Sequence, residues 1–311
     1  MKPAPFDYLA AASVEEAVAA LAAHADDAVV LAGGQSLVPL LNLRLARPSV
    51  VVDVNRIAAL AGIGVNGVTT VGALTRQAAA LRSPLLAGRA PLLVVALGHA
   101  GHVATRARGT VGGSAAHADP AAELPAVLLA LDAAIVLRGP AGEREVAAAD
   151  FFQGPFTTAR RSTELLTAVR LPAPPPGARH GFHEVARRHG DFALAGAAVV
   201  VAAGPGGATG AAAAAGPGAA PGAALAAGAI SHVRIALFGV APCAFRAVAA
   251  EAALAAGAPA EEVAALAAAA AEPHDDIHAT ASYRRRAVHT CVVRALAAAA
   301  AAGPGAGEGS R

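Results

Sequence analysis

Ala32-Gly33-Gly34-Gln35-Ser36-Leu37 sits between a short apolar run, Ala28–Ala32, and a segment of helical spacing from Leu37 to Leu45. Paired glycines let backbone N–H groups approach a ligand closely and curl into a concavity that accepts anions. A helix starting after Ser36 would aim its positive end at the same spot. A phosphate or pyrophosphate is the natural occupant, and a plain tight turn is the alternative. Arg108-Gly109-Thr110-Val111-Gly112-Gly113-Ser114 repeats the recipe, with hydroxyls at Thr110 and Ser114 and a helix beginning near Pro120. Two such glycine loops argue for a ligand with two phosphates. Asp119 alone says little, because proline and an acid at a helix start are ordinary capping choices.

Outward from these motifs, strands and helices alternate up to about residue 170. Ser13-Val14-Glu15-Glu16 is a capping box, predicting a helix to about His24. Ser49–Val54 reads as a buried strand, and Asn66-Gly67 as the turn of a hairpin. Helices are expected over Thr75–Arg82, Leu85–His99 and Ala121–Ala130, then a hairpin of Ala133–Leu137 with Glu143–Ala147, then a strand, Glu164–Leu171. Pro172–Gly177 is a stiff linker. Strands Phe192–Ala202 and His232–Val240 flank Gly204–Gly228, a chargeless Gly/Ala/Pro run read as a flexible insertion. Helices Ala247–Ala256, Glu261–Ala271 and Ala279–Ala302 close the chain before a tail, Gly303–Arg311, expected to be disordered. Arg284-Arg285-Arg286 reads as a solvated helix face or a contact for an acidic partner.

Composition removes several function classes. Lys+Arg 24 against Asp+Glu 22 leaves a net charge of +2, too little to neutralise a phosphate backbone. Aromatics are 3% and Trp is absent, so stacking platforms for single strands are missing. The 56% hydrophobic fraction is dominated by Ala, and the longest uncharged stretch, Phe192–Val233, is broken by Gly and Pro, so no bilayer span is expected. Cys243 and Cys291 stand far apart, which excludes a CxxC zinc site and a disulfide scaffold. The segment MKPAPFDYLA has no apolar signal region, so a reducing, cytoplasmic setting is expected.

Gly62-Ile63-Gly64-Val65-Asn66-Gly67 spells GxGxxG but runs into β-branched residues and a hairpin turn rather than a helix, so a Rossmann reading fails. His274-Asp275-Asp276-Ile277-His278 has metal-like spacing, yet capping by Asp275 or Asp276 explains it better. His99, His102 and His117 flank the second glycine segment without a paired nucleophile, and GxSxG, HExxH and P-loop motifs do not occur. The chain reads as a cofactor holder.

At this point whole segments become recognisable. AGGQSLVPLLNLRLARPSVVVDVNRI, RARGTVGGSAAHADPAAELPAVLLALDA, FHEVARRHGDFALAGAAVV and ATASYRRRAV resemble the FAD-binding (medium) subunit of the molybdenum hydroxylases, the carbon monoxide dehydrogenase and xanthine dehydrogenase family. The resemblance implies an α+β chain: two α/β subdomains of the vanillyl-alcohol-oxidase (PCMH) type of FAD-binding fold, residues 1–55 and 56–173, plus a C-terminal α+β domain over 178–302. It implies that Leu31, Ala32, Gly33, Gly34, Gln35, Ser36 and Leu37 wrap the FAD pyrophosphate, and that Thr110, Val111, Gly112, Gly113 and Ser114 form the second loop. Glu123 matches an acidic position that hydrogen-bonds the cofactor, with Asp119 on the same turn; His183 and Asp191 fall at positions near the flavin.

Two departures stand out: Ser114 where relatives usually carry Asn or Asp, and Ala107 where they carry Asn. The loss of one acceptor costs FAD affinity about 0.5–1.5 kcal/mol. The implied protein is an oxidoreductase subunit without acid–base residues of its own. It takes electrons from partner [2Fe-2S] clusters, while molybdopterin sits on a separate large subunit, in a dimer of heterotrimers. Two alternatives are a stand-alone flavin oxidoreductase using NAD(P)H or oxygen, and a cofactor-free assembly subunit.

Overall fold

The computed structural model describes residues 2–204 and 230–302, so the insertion within 205–229 and the tail 303–311 lie outside the described residues. Ser13 Oγ accepts from the N–H of Glu16 at 3.1 Å, while Glu16 Oε2 reaches back to Ala12 N at 2.8 Å, one residue beyond the usual box. The helix so started, Val14–His24, buries Ala17, Val18, Ala20 and Leu21. It packs on a three-stranded parallel sheet ordered Asp7–Ala10, Val50–Asp53, Ala28–Leu31. Parallel neighbours need crossovers, which the helices supply. The edge strand Asp7–Ala10 is half exposed and too short to show a period in the sequence.

A five-stranded antiparallel sheet follows, in the order Ile63–Asn66, Val68–Gly72, Leu165–Leu171, Ala134–Gly139, Gly142–Ala147. Gly67 takes φ +70° in the first hairpin, the left-handed turn that the Asn-Gly pair predicts. Two expectations fail here for stated reasons. The helix expected over Leu85–His99 is two, Pro84–Arg89 and Pro91–His99. Pro91 cannot donate a helical N–H and forces Ala90 out of the α region, to φ −145° and ψ 58°. The second glycine segment is not a loop: Val111–His117 is a helix capped by Thr110, whose Oγ1 accepts from Gly113 N at 3.0 Å. Gly112 is tolerated in it because its missing Cβ lets the helix lie on Ala73; a Cβ there would come within 2.5 Å of Ala73 Cβ.

Past the proline linker, four antiparallel strands run Arg179–Ala186, Ala193–Ala203, Ile230–Phe238, Phe245–Arg246. The first of them was not expected from the sequence. Ala193–Ala203 is buried on both faces, which its run of Ala and Val permits. One face packs on the helix Glu123–Ala130, joining this sheet to the core of the preceding region through Phe182 and Phe238. The other carries the helices Val248–Ala255, Ala260–Ala269 and Ala281–Ala301. Arg284 corrects the reading of its triplet as a solvated face. It is 7% exposed, donates to Leu194 O at 2.7 Å and Gly239 O at 3.0 Å, and pairs with Asp276 at 2.6 Å. The helix N-cap is Thr280, not an aspartate: its side chain accepts from Tyr283 N at 3.3 Å, while Asp275 accepts from Ala281 N in the first turn and Asp276 from His278 N and Ala279 N ahead of the helix. No helix among the described residues is long and apolar enough to cross a membrane.

Candidate functional site

The two glycine motifs meet face to face. A Cβ on Gly33 would stand 2.6 Å from Arg108 O and 2.9 Å from Gly109 Cα, so the first loop touches the backbone leading into the capped helix. A polar clamp holds this junction from behind. Asn55 Nδ2 donates to Ala32 O at 2.8 Å, Arg76 Nη2 donates to Asn55 Oδ1 at 2.7 Å, and Arg76 Nη1 donates to Arg108 O at 2.6 Å. Asp53 accepts from Asn55 Nδ2 and from Tyr8 OH, both at 2.6 Å, and so orients the asparagine. One network therefore holds a carbonyl of each motif.

The backbone N–H groups differ sharply between the motifs. From Gly33 to Leu37 none has a protein acceptor among the described residues, and Gly34 sits at φ +72°. Consecutive free donors around a left-handed glycine form an anion-binding nest. In the second motif, Val111 N bonds Thr75 O, Gly112 N bonds Ala73 O, Gly113 N bonds Thr110 Oγ1 and Ser114 N bonds Thr110 O. From Val111 to Ser114 its amides are already taken, so the expectation of two equivalent phosphate loops is corrected to one run of consecutive free amides, a cradle in the first motif. The helix after Ser36 is only six residues, Leu37–Asn42, and adds little dipole.

Cavities open on both sides of the cradle. One of about 320 Å³ is lined by Gly33, Gly34, Gln35 and Ser36, by Thr110, Gly113 and Ser114 opposite, and by Asp119, Glu123 and Asp191. A second, of about 310 Å³, is more apolar: Ala32 and Leu37 line it with Val29, Leu40, Leu74, Gly112 and Leu165. A third opening, of about 440 Å³, exposes Leu31 and Gln35 beside Asp53, Asn55 and Arg108. The arrangement suits a two-armed ligand with a charged middle.

Of the residues singled out in the sequence, two are not brought to these walls. Val111 is fully buried in the core. His183 lies on the strand Arg179–Ala186, with Nε2 facing Arg294 at 3.2 Å. Conversely, sequence reasoning missed Gln77, Gly101, Thr105 and Phe192 in the first cavity, and the Asn55–Arg76 clamp behind it. His117, which lines both main cavities, had been noted only as one of three flanking histidines. Asp53-Val54-Asn55 after a buried strand was a usable signal, since an acid two residues before an amide invites the turn seen between Asn55 N and Asp53 Oδ1, 2.8 Å.

Burial governs the electrostatics. Glu123 is 6% exposed, and burial pushes its carboxyl up to about 7, with Glu184 and Asp119 adding to the rise. Burial also holds the His117 imidazole below its ordinary value. The sign of the Glu123 shift makes a prediction. Between about pH 4.5 and 7 the folded chain keeps a proton that the unfolded chain has lost, so this group's contribution to stability falls as pH rises. Full ionisation costs roughly 3–4 kcal/mol, from a rise of 4.5 to about 7 at about 1.4 kcal/mol per unit. Urea titrations of the ligand-free chain at pH 5 and pH 8 are expected to show Glu123→Gln stabilising at pH 8 and near neutral at pH 5. Equal effects at both values would refute the assignment.

Comparison with known proteins gives a consistent result. A family described as the FAD binding domain in molybdopterin dehydrogenase matches residues 4–174, and one described as the CO dehydrogenase flavoprotein C-terminal domain matches residues 180–299. The chain is 37% identical over 304 residues to the carbon monoxide dehydrogenase medium chain of Hydrogenophaga pseudoflava, covering 96% of this chain and 98% of that one. It is 47% identical over 202 residues to the 6-hydroxypseudooxynicotine dehydrogenase complex subunit alpha of Paenarthrobacter nicotinovorans, covering 65% and 68%. Among solved structures, a carbon monoxide dehydrogenase from Hydrogenophaga pseudoflava lacking the Mo-pyranopterin moiety superposes with TM-score 0.85 at 38% identity, over 96% of this chain and 98% of that chain.

Proposed function

The chain belongs to the FAD-binding family of the molybdopterin dehydrogenases, and from that premise we propose that it is the electron-transfer subunit of a multi-subunit molybdenum hydroxylase. It is a medium-type FAD-binding subunit of an oxidoreductase. The finer reading is that electrons arrive from [2Fe-2S] clusters on a small partner subunit and leave for an external acceptor. Substrate is oxidised at molybdopterin on a large partner subunit, in a dimer of heterotrimers. The cytoplasm is its seat, a reading supported by two unpaired cysteines.

The observation that carries the reading is the cradle of free amides from Gly33 to Leu37 between two cavities. FAD is a pyrophosphate with a nucleoside arm and a flavin arm, and the residues present fit it. The Gly33–Leu37 amides would hold the pyrophosphate, Ser114 and Glu123 would offer hydrogen bonds in the polar cavity, and Leu37, Leu40 and Leu74 would cover an aromatic ring in the apolar one. Asp119 and Asp191 add acceptors at the polar wall, whereas Val111 supports the cradle from the core. When bound, the flavin supplies the capacity to accept and release electrons singly or in pairs. The protein's own part is to bind, orient and set the field around it.

The test is the visible spectrum of the purified chain and of its complex, with chromatography of any cofactor released on denaturation. Bands near about 375 and 450 nm with release of FAD are expected. A colourless chain that takes up no added FAD, alone or in its complex, would overturn the proposal in favour of a cofactor-free subunit.

A further inference from the structure

Three titratable side chains from three elements influence one another's charge, one lining the polar cavity and the other two in contact, and flavin binding uses only the first. Glu123 opens the helix Glu123–Ala130 and lines the cavity. Glu184 stands on the strand Arg179–Ala186 with its side chain 5% exposed; Oε1 lies 3.3 Å from His99 Nδ1, and Oε2 is buried without a partner among the described residues. His99 ends the helix Pro91–His99 with 38% of its side chain exposed and its ring against Phe182, 5.0 Å between centroids. A buried carboxylate oxygen left unpaired is destabilising unless it holds or passes a proton. His99 is thus open to solvent, Glu184 is buried against it, and Glu123 stands on the cavity wall.

We propose that His99 and Glu184 form a proton path feeding Glu123, which supplies the cavity with the proton taken up when a bound redox group is reduced. This rests on the flavin reading above. Iron–sulfur clusters hand over electrons without protons, so a reduction that takes up two electrons and one proton must draw that proton from water. Glu123 gives up its proton at the cavity wall, Glu184 passes on the one held at His99, and His99 reloads from solvent; reoxidation returns the proton along the same groups.

The surrounding charges are placed for this. Glu184 and Asp119 favour neutral Glu123 and His99 opposes them. The Glu184 contact, aided by Glu123, holds the His99 imidazole above its ordinary value. Glu123 and His99 are thereby both biased toward their protonated forms, as groups that deliver a proton must be. His189 lies edge-on to His99 at 6.0 Å, and Asp191 lines the same cavity. His183 turns to Arg294 on the last helix, where burial also pushes the Cys291 thiol up to about 12.

The experiment loads the full chain with FAD and reduces it with light and a deazaflavin donor in weak buffer containing a pH dye. Flavin absorbance and proton uptake are followed together. In the wild-type chain the two are expected to keep pace. In His99→Gln and Glu184→Gln, FAD affinity should stay within about twofold while uptake lags at least about tenfold, and Glu184→Asp should restore the pace. In the FAD-free chain, Glu184→Gln should also lower the NMR titration midpoint of His99. Uptake in step with reduction in both variants, with FAD bound, overturns the path and leaves the flavin reading standing. A wild-type chain that binds no FAD overturns both.

Discussion

Alanine at Gly33 is expected to weaken FAD binding at least about a hundredfold, or about 2.7 kcal/mol, while the C-terminal sheet stays folded. The added methyl would face backbone, not side chain: Arg108 O at 2.6 Å and Gly109 Cα at 2.9 Å. Neither can retreat. Arg108 O is gripped by Arg76 Nη1 at 2.6 Å, and Gly109 N is bonded to Thr105 O at 2.7 Å. A Cβ on Gly109 would itself lie 2.7 Å from Gln77 Oε1, so that segment is wedged on its other side. The relief left is for the first loop to lift, which turns the five free amides away from one centre. Gly34→Ala is the informative control. Its φ of +72° carries strain, but its Cβ would meet only the movable side chains of Val38 at 3.1 Å and Leu31 at 3.3 Å. Left-handed strain of about 1–2 kcal/mol predicts a smaller loss. Quenching of FAD fluorescence measures both, and a Gly33→Ala chain that binds within threefold of wild type would sink the argument.

What could be read from the residues, and what could not, divides along the range of the interactions. That Gly33-Gly34 ends a strand and shapes a binding loop is a local matter, carried by an apolar run and two missing Cβ atoms. That Gly33 abuts Arg108 is not, because nothing near either residue signals the other. The Asn55–Arg76 clamp was invisible for the same reason: each residue is ordinary until the fold brings them within 2.7 Å. The second motif was misread because its glycines argue for a loop on propensity, whereas Thr110 three residues before Gly113 is a cap. Tertiary packing on Ala73 decided the matter. The strand Arg179–Ala186 escaped notice because Arg179, His180, His183 and Glu184 break its apolar pattern. Glu184, one of these residues, is what the strand brings to the proton path. Arg284 looked like surface because its burial depends on carbonyls of two distant segments, Leu194 and Gly239.

Alanine at Gly181 should produce the largest loss of stability, roughly 3 kcal/mol, at the upper end of what overpacking usually causes. Gly181 lies in the unforeseen strand, directly under the helix Ala281–Ala301, and a Cβ there would run into the carbonyl of Ala295, with Ala299 N at 3.0 Å beyond it. The helix cannot back away without opening voids along Val288, Val292, Leu296 and Ala299, all fully buried. Arg179 Nη1 also ties the strand to Ala300 O at 3.2 Å. Because the obstacle is backbone, Ala295→Gly is expected to give no rescue in the double variant. Gly196 supplies the contrast. A Cβ there would meet the ring of Phe238 on the neighbouring strand, so Phe238→Leu should recover part of the stability lost in Gly196→Ala. Chemical denaturation of the four variants reads both effects. Rescue of Gly181→Ala by Ala295→Gly would show that a side chain sets the helix–strand distance. Its failure, beside recovery at Gly196, would show that glycine at 181 fixes how closely the last helix approaches the strand that carries Glu184.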